Sequence, residues 1–357
     1  MANKIHELKQ NSMTFQARGL ITGTRGQRFY RSGTSKSGKN WNEINFGVTI
    51  APMQTIYVKL TGFEQNEVIY FERVKKGEKS NTVRVPWKNR KQSPGEKFRL
   101  NGVNISVGKD KDNKNINEVM VPYDVVEHLH ETLKDGDSYY VGGTIQPRSY
   151  TDSQGNPKRS VDLIVGQMYY TDEPIDFNAE GFEAKHDIIV DPFVFSSIDK
   201  EMDENDKATG RFILSGYNIE YNNIEIMNFI IEAQDSILAN KIKKKMKPGY
   251  AMKMFGTINV VHNIVEVDTD DEDDWGVTRK SSANRAVGGS SKFEYVLFDV
   301  KGETFDKETY SEDGIAAAMR AIRQSKEAAE KFVDTSDNDV NDGWGSDDDD
   351  DDDTPWD

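Results

Sequence analysis

Between Gly23 and Trp41 the chain places Arg25, Arg28, Phe29, Tyr30, Arg31, Lys36 and Lys39 in a glycine- and serine-rich run, and no acidic residue occurs between Glu7 and Glu43. A second group, Arg148, Tyr150, Lys158 and Arg159, lies around the turn Thr-Asp-Ser-Gln-Gly-Asn-Pro. Cations of this density attract a polyanion, and flat side chains among them can stack. A single nucleic-acid strand offers both partners, a π-face on each base and a charge on each phosphate. Binding of that kind needs no reading of sequence.

Other chemistries fit poorly. Gly33-Thr-Ser-Lys-Ser-Gly-Lys-Asn40 has the spacing of a phosphate-binding P-loop up to its last position. There Asn40 stands where a Ser or Thr hydroxyl would meet Mg²⁺, and the segment leads into alternating strand residues rather than a helix. The histidines His6, His128, His130, His186 and His262 form no pair four residues apart, and there is no cysteine, so no zinc site is expected. Asp268–Asp274 has the charge of a Ca²⁺ loop without its glycine. No nucleophile elbow or catalytic triad is legible. No catalytic residue, metal or cofactor is expected.

The elements that would carry the cations read as β-strands. Met13, Phe15, Ala17, Gly19 and Ile21 alternate with Thr14, Gln16, Arg18 and Leu20. Ile44, Phe46, Val48 and Ile50 alternate likewise, as do Ile56, Val58 and Leu60 after a turn at Ala51–Gln54. Period two predicts strands with one buried face. With those residues inside, Arg18, Trp41, Tyr57 and Lys59 face outward and join the candidate contacts. A helix is predicted at about 124–134 and two strands at 138–145 and 159–169. Residues 63–122 read as an insertion with short strands at 68–74, 82–87 and 98–107, and Trp87 is its candidate contact. Strand, strand, strand, helix, strand, strand is the order of the OB-fold, a five-stranded Greek-key barrel that binds oligonucleotides on its second and third strands.

The order recurs. Strands are expected at 182–198, 210–217, 223–231, 250–260 and 292–300, with a helix at 234–247. At an offset of 113 residues, Gly143-Thr-Ile145 matches Gly256-Thr-Ile258, and Val126, Leu129 and Leu133 match Ala239, Ile242 and Met246. The expected fold is mostly β: two tandem OB-fold barrels at 1–175 and 176–310, a helix at 311–333, and a disordered acidic tail at 334–357. The lysines of the second helix are read as a solvated face.

A chain of 357 residues exceeds one core, which rarely grows past about 250–300 residues. Mean hydropathy is −0.73 and the absence of cysteine suits a reducing cytoplasm; no membrane span or leader is legible. Net charge is −15, but residues 1–175 hold 26 Lys/Arg against 19 Asp/Glu, whereas 334–357 hold none against 12. A basic front and an acidic end suggest a tail that competes with the bound polyanion or meets a basic partner.

Asp347–Asp353 followed by Thr354-Pro355-Trp356-Asp357 resembles the tip of bacterial single-stranded-DNA-binding proteins, which end in aspartates, proline and an aromatic. Trp replaces Phe here, and Asp357 moves the terminal carboxylate one residue on. The paired barrels and the insertion are more similar to the single-stranded-DNA-binding proteins of tailed bacteriophages. The resemblance implies that Pro355 and Trp356 enter an apolar pocket on replication or recombination proteins while Asp351, Asp352 and Asp353 meet its basic rim. The expected role is coating single-stranded DNA in replication, recombination or repair, as a monomer or an oligomer. The alternatives are an RNA-binding or strand-annealing protein on the same fold, and a metal-dependent nuclease or primase.

Overall fold

The computed structural model describes residues 5–75, 78–151, 157–203, 205–261 and 292–336. The chain is mostly β, with sixteen strands and three α-helices among the described residues. The first four strands are β1 (Ser12–Thr22), β2 (Tyr30–Thr34), β3 (Asn40–Ala51) and β4 (Gln54–Phe63). Then come β5 (Glu67–Glu72), β6 (Thr82–Pro86), β7 (Phe98–Leu100), β8 (Val103–Lys109) and β9 (Asn115–Met120). Helix α1 (Pro122–Thr132) leads into β10 (Ser138–Thr151) and β11 (Pro157–Tyr170).

β1, β3, β4, β11 and β10 close into a ring. β1 pairs β10 along Thr14–Leu20 and then β3 along Leu20–Thr22; β3 pairs β4; β4 meets β11 in parallel at Lys59 and Ile164; β11 returns to β10. The change of partner along β1 depends on Gly19, where a Cβ would stand 2.3 Å from the Thr49 carbonyl oxygen. Inward residues of the three alternating runs, Phe15, Ile44, Phe46, Val48, Ile56 and Val58 among them, are buried as the pattern requires. α1 seats Val125, Val126 and Leu129 on this core and packs tightly on β4, where a Cβ at Gly62 would stand 2.3 Å from the Tyr123 backbone.

A second ring repeats the connectivity. It comprises β12 (Lys185–Met202), β13 (Ala208–Ile219), β14 (Ile224–Ile231), β15 (Ala251–Val261) and β16 (Lys292–Asp306), with α2 (Ser236–Lys245) between its third and fourth strands. β12 pairs β13 and β15, β13 pairs β14, β14 meets β16 in parallel, and β16 pairs β15. The offset of 113 residues holds through the fourth strands and the turns that enter them, whereas the first strands correspond at an offset of 174. Gly136 and Gly249 both carry positive φ, +89° and +87°. Their N–H groups donate to Ile21 and Phe195, whose own N–H groups donate back to Asp137 and Tyr250. Both fourth strands bulge at the matching place, Gly142/Gly143 and Phe255/Gly256.

Seven antiparallel pairs between β1 and β12, from Ser12–Asp191 to Arg18–Lys185, join the rings into one 13-stranded sheet. The Asn11 amide donates to the carbonyls of Pro192 and Tyr217 and accepts from Ile219 N–H, reinforcing the junction. Helix α3 (Glu312–Ser336) lays Ile315, Ala318 and Ile322 against Val194, Ile219, Ile224 and Ala251. It covers the second ring.

Three elements differ from the sequence expectation, one of them β9, which was not expected at all. Residues 30–34, read as loop, form β2 at the edge beside β3; Tyr-Arg-Ser-Gly-Thr buries no face, so it shows no apolar alternation. The strand expected at 98–107 is two strands. Gly102, whose Cβ would stand 2.2 Å from the Met120 carbonyl oxygen, divides β7 from β8. β7 belongs to a separate three-stranded sheet, β6-β5-β7, over a small core of Val68, Tyr70 and Val121. β8 instead pairs with β11 and gives Val103 and Ile105 to the main core.

Candidate nucleic-acid interface

The outer face of β3 and β4 follows from their register. Trp41 lies opposite Phe63, Glu43 opposite Thr61, Asn45 opposite Lys59, and Gly47 opposite Tyr57. Directly opposed residues share a face, and their neighbours Ile44, Phe46, Val58 and Leu60 fill the inside. Tyr57 is 60% exposed and Phe63 48%. Gly47 has no side chain with which to cover the Tyr57 ring. Trp41 is half-buried, its indole lying against Gly33 of β2, where a Cβ would stand 3.1 Å from Nε1. Three aromatic rings therefore share one outward face.

Charge on this face is partly committed. Glu43 accepts hydrogen bonds from Arg31 (2.6 Å), Asn45 (3.0 Å) and Thr61 (2.7 Å). Burial pushes its pKa up, but these three bonds and the Arg31 charge outweigh it and hold the carboxyl below its ordinary range. Lys59 is paired with Asp162 of β11 at 2.6 Å. Arg25, Arg28 and Lys36 stand exposed on the β1–β2 and β2–β3 connections, with Lys39 half-buried. The segment with P-loop spacing is the β2–β3 hairpin turn, closed by Ser35 N–H donating to the Lys39 carbonyl, with Gly38 at φ +74°. No helix follows it. Arg148 is exposed where β10 and β11 form a hairpin that sets Tyr150 against Lys158 and Ser149 against Arg159 in backbone register.

Three expected contacts belong elsewhere. Phe29 is 7% exposed and sits in the main core, 6.0 Å from the His130 ring, so its ring cannot stack a base. Trp87 is covered by the Arg90 guanidinium at 4.4 Å and meets Tyr123 edge-on, as part of the insertion's core. Arg90 itself is held by Asp124, Nη2 to Oδ1 at 2.7 Å. Arg18 points outward from β1, the strand between the rings, and reaches the Glu183 carbonyl rather than the β3–β4 face. Tyr30 stacks on His130 at 3.9 Å, which occupies one side of its ring. Asp351, Asp352, Asp353, Pro355 and Trp356 lie outside the described residues.

Phe63 was not among the expected contacts. The period-two run Tyr57, Lys59, Thr61 continues to it, but the expected strand stopped at the insertion boundary. The corresponding face of the second ring differs in chemistry. On β13 and β14, Ile213 opposes Ile230 and Tyr217 opposes Ile226. Its Arg211 is enclosed by Glu294 at 2.5 Å, Glu201 at 3.4 Å and Glu232 at 3.5 Å. Among the described residues no three His, Cys, Asp or Glu side chains gather closely enough to hold a metal, and no helix is long and apolar enough to cross a membrane.

Among solved structures, the single-stranded DNA binding protein of Thermus aquaticus aligns over 82% of this chain and 93% of its own, at 7% identity and a TM-score of 0.35. A Plasmodium falciparum SSB in complex with ssDNA aligns over 52% of this chain and 96% of its own, at 12% identity and a TM-score of 0.17. At scores this low the likeness carries no weight for fold or ligand. No curated protein matches the chain in sequence. The family model described as YorF matches residues 63–335, from the end of β4 through nearly all of α3. The chain belongs to the YorF family.

Proposed function

We propose that the chain binds single-stranded DNA without sequence preference, on the outer face of β3 and β4, and that its two rings are tandem OB-fold barrels of which the first is the main binding unit. The observation that carries this reading is Tyr57, Phe63 and Trp41 on one outward face of a closed ring, bordered by exposed Arg25, Arg28, Lys36 and Arg148. Exposed rings cost stability in water unless something covers them, and bases cover them while phosphates meet the rim. The second barrel, with its cation enclosed by carboxylates, serves as a scaffold. The protein acts by binding alone, in a cytoplasm, in replication or recombination of the tailed-phage type. Its acidic C-terminal residues recruit partners, with Pro355 and Trp356 as the apolar anchor.

The experiment is a titration with oligo-dT followed by intrinsic tryptophan fluorescence. Quenching reversed by salt is expected, with log K falling against log salt by about 0.7 per phosphate neutralised. Equal competition by RNA of the same sequence would move the reading to an RNA-binding protein on the same fold. Cleavage of the labelled strand in Mg²⁺ or Mn²⁺ would replace it with a nuclease.

A further inference from the structure

The sheet β6-β5-β7 has two faces, and only one is explained by its core. Val68 and Tyr70 point inward, joined by Val83, Val85 and Leu100. The other face carries Ile69 and Phe71 from β5. Register places Phe71 between Thr82 of β6 and Arg99 of β7, and Ile69 opposite Arg84. Phe71 is 40% exposed, and Arg99 is exposed with no ion-pair partner among the described residues. Among the described residues Arg84 is ion-paired with Glu67 on the same face. Arg73, two residues past Phe71 and also exposed, extends the row of cations. Between Arg73 and Arg99 the sequence holds ten Lys/Arg and two acidic residues.

We infer that this face is a second platform for the same single strand, where a base stacks on Phe71 and phosphates meet Arg73, Arg84 and Arg99. The inference rests on the proposed function, which supplies the ligand; charge complementarity selects it over a protein partner. Position makes the path continuous. β5 begins four residues after Phe63, a span of at most about 14 Å, and Trp87 N–H donating to the Asn66 carbonyl fixes the connection. Phe71 lies eight residues past Phe63, at most about 29 Å of chain, within reach of a single strand that leaves the Trp41–Phe63 end of the first ring. Trp87, the residue in this segment that the sequence singles out, holds the platform together from behind.

Oligonucleotide length separates the two sites. Full-length wild type, Phe71→Ala, Arg99→Glu and Tyr57→Ala would be titrated with oligo-dT of roughly 8 nucleotides, within the footprint of one barrel, and roughly 30, beyond it. Phe71→Ala and Arg99→Glu should weaken the long strand by about 5- to 100-fold and leave the short one unchanged. Tyr57→Ala should weaken both. Because Phe71 and Arg99 are exposed, melting temperatures should match wild type. If both insertion variants bind the long strand as wild type does, the face serves another occupant and the inference is overturned, while a loss in Tyr57→Ala still upholds the proposed function. If Tyr57→Ala binds both lengths normally, the β3–β4 reading fails instead.

Discussion

Tyr57 and Phe29 are both aromatic residues in the basic first ring, yet their substitutions should be read by different instruments. Tyr57 is exposed and opposes a glycine, so Tyr57→Ala should weaken oligo-dT binding by about 1–3 kcal/mol, the usual worth of a base–aromatic stack, without moving the melting temperature. Phe29 is core, and Phe29→Ala should cost about 3–5 kcal/mol in urea denaturation. Glu43 tests the electrostatics. It holds Arg31 and places a negative charge where phosphates are expected, so Glu43→Gln should tighten oligo-dT binding by about 2- to 10-fold at low salt. The pH dependence has a definite sign. The Glu43 carboxyl titrates lower in the folded chain than in the unfolded one, so the unfolded chain takes up the proton first as acid is added. Its contribution to stability is complete above the ordinary carboxylate range and is lost as pH falls through that range toward the lowered folded value. Melting temperatures of wild type and Glu43→Gln should therefore converge in acid. A constant difference down to the acid limit would assign the Glu43 interactions no dependence on its charge.

At the scale of elements, the bulges carry the repeat. A Cβ at Gly143 would stand 1.8 Å from the Ile164 carbonyl oxygen, and one at Gly256 2.2 Å from that of Val296. Gly143→Ala and Gly256→Ala should each cost more than about 2 kcal/mol in denaturation, whereas Gly108→Ala, with open space around it, should cost far less. Equal, small effects at all three would mean that the bulges are not what fixes each fourth strand. These glycines, with Gly136 and Gly249, also explain why the 113-residue offset was legible: close backbone at Gly143 and Gly256 admits no side chain, and the positive φ of Gly136 and Gly249 disfavours one, so the constraint is written as residue type. Alternating runs such as Ile44 to Ile50 were legible for a related reason, since one buried face forces period two. β2 was not, because an edge strand with both faces wet imposes no pattern. The division at Gly102 was missed although the sequence carries it: the apolar positions Phe98 and Leu100 change phase to Val103, Ile105 and Val107, and the two halves serve different cores. Of the candidate site, the cations stand out by composition, but Phe29 was not separable from Tyr57 without the ring that buries one and exposes the other.

At the scale of the whole molecule, charge is separated along the chain. The first 175 residues are net positive and residues 334–357 hold twelve carboxylates. A chain ending at Ser336 keeps every described residue of α3, so its thermal stability should match wild type. Its affinity for oligo-dT should rise, because a tethered polyanion competes at high effective concentration, and the gain should disappear near 1 M salt, where screening shortens to about 3 Å. Trp356→Ala keeps every charge; it should leave DNA affinity unchanged while losing the proteins that wild type captures from a lysate. Unchanged capture would leave the C-terminal residues a purely electrostatic role. The central claim, that an aromatic face on a closed ring selects unpaired strands, has a more direct test. Bound fluorescent oligo-dT would be competed at equilibrium, at low salt, with unlabelled oligo-dT and with duplex of equal length. Duplex hides its base faces but keeps its phosphates, so it should compete far more weakly, and Tyr57→Ala should narrow the gap. Competition by duplex equal to or better than single strand would contradict the account.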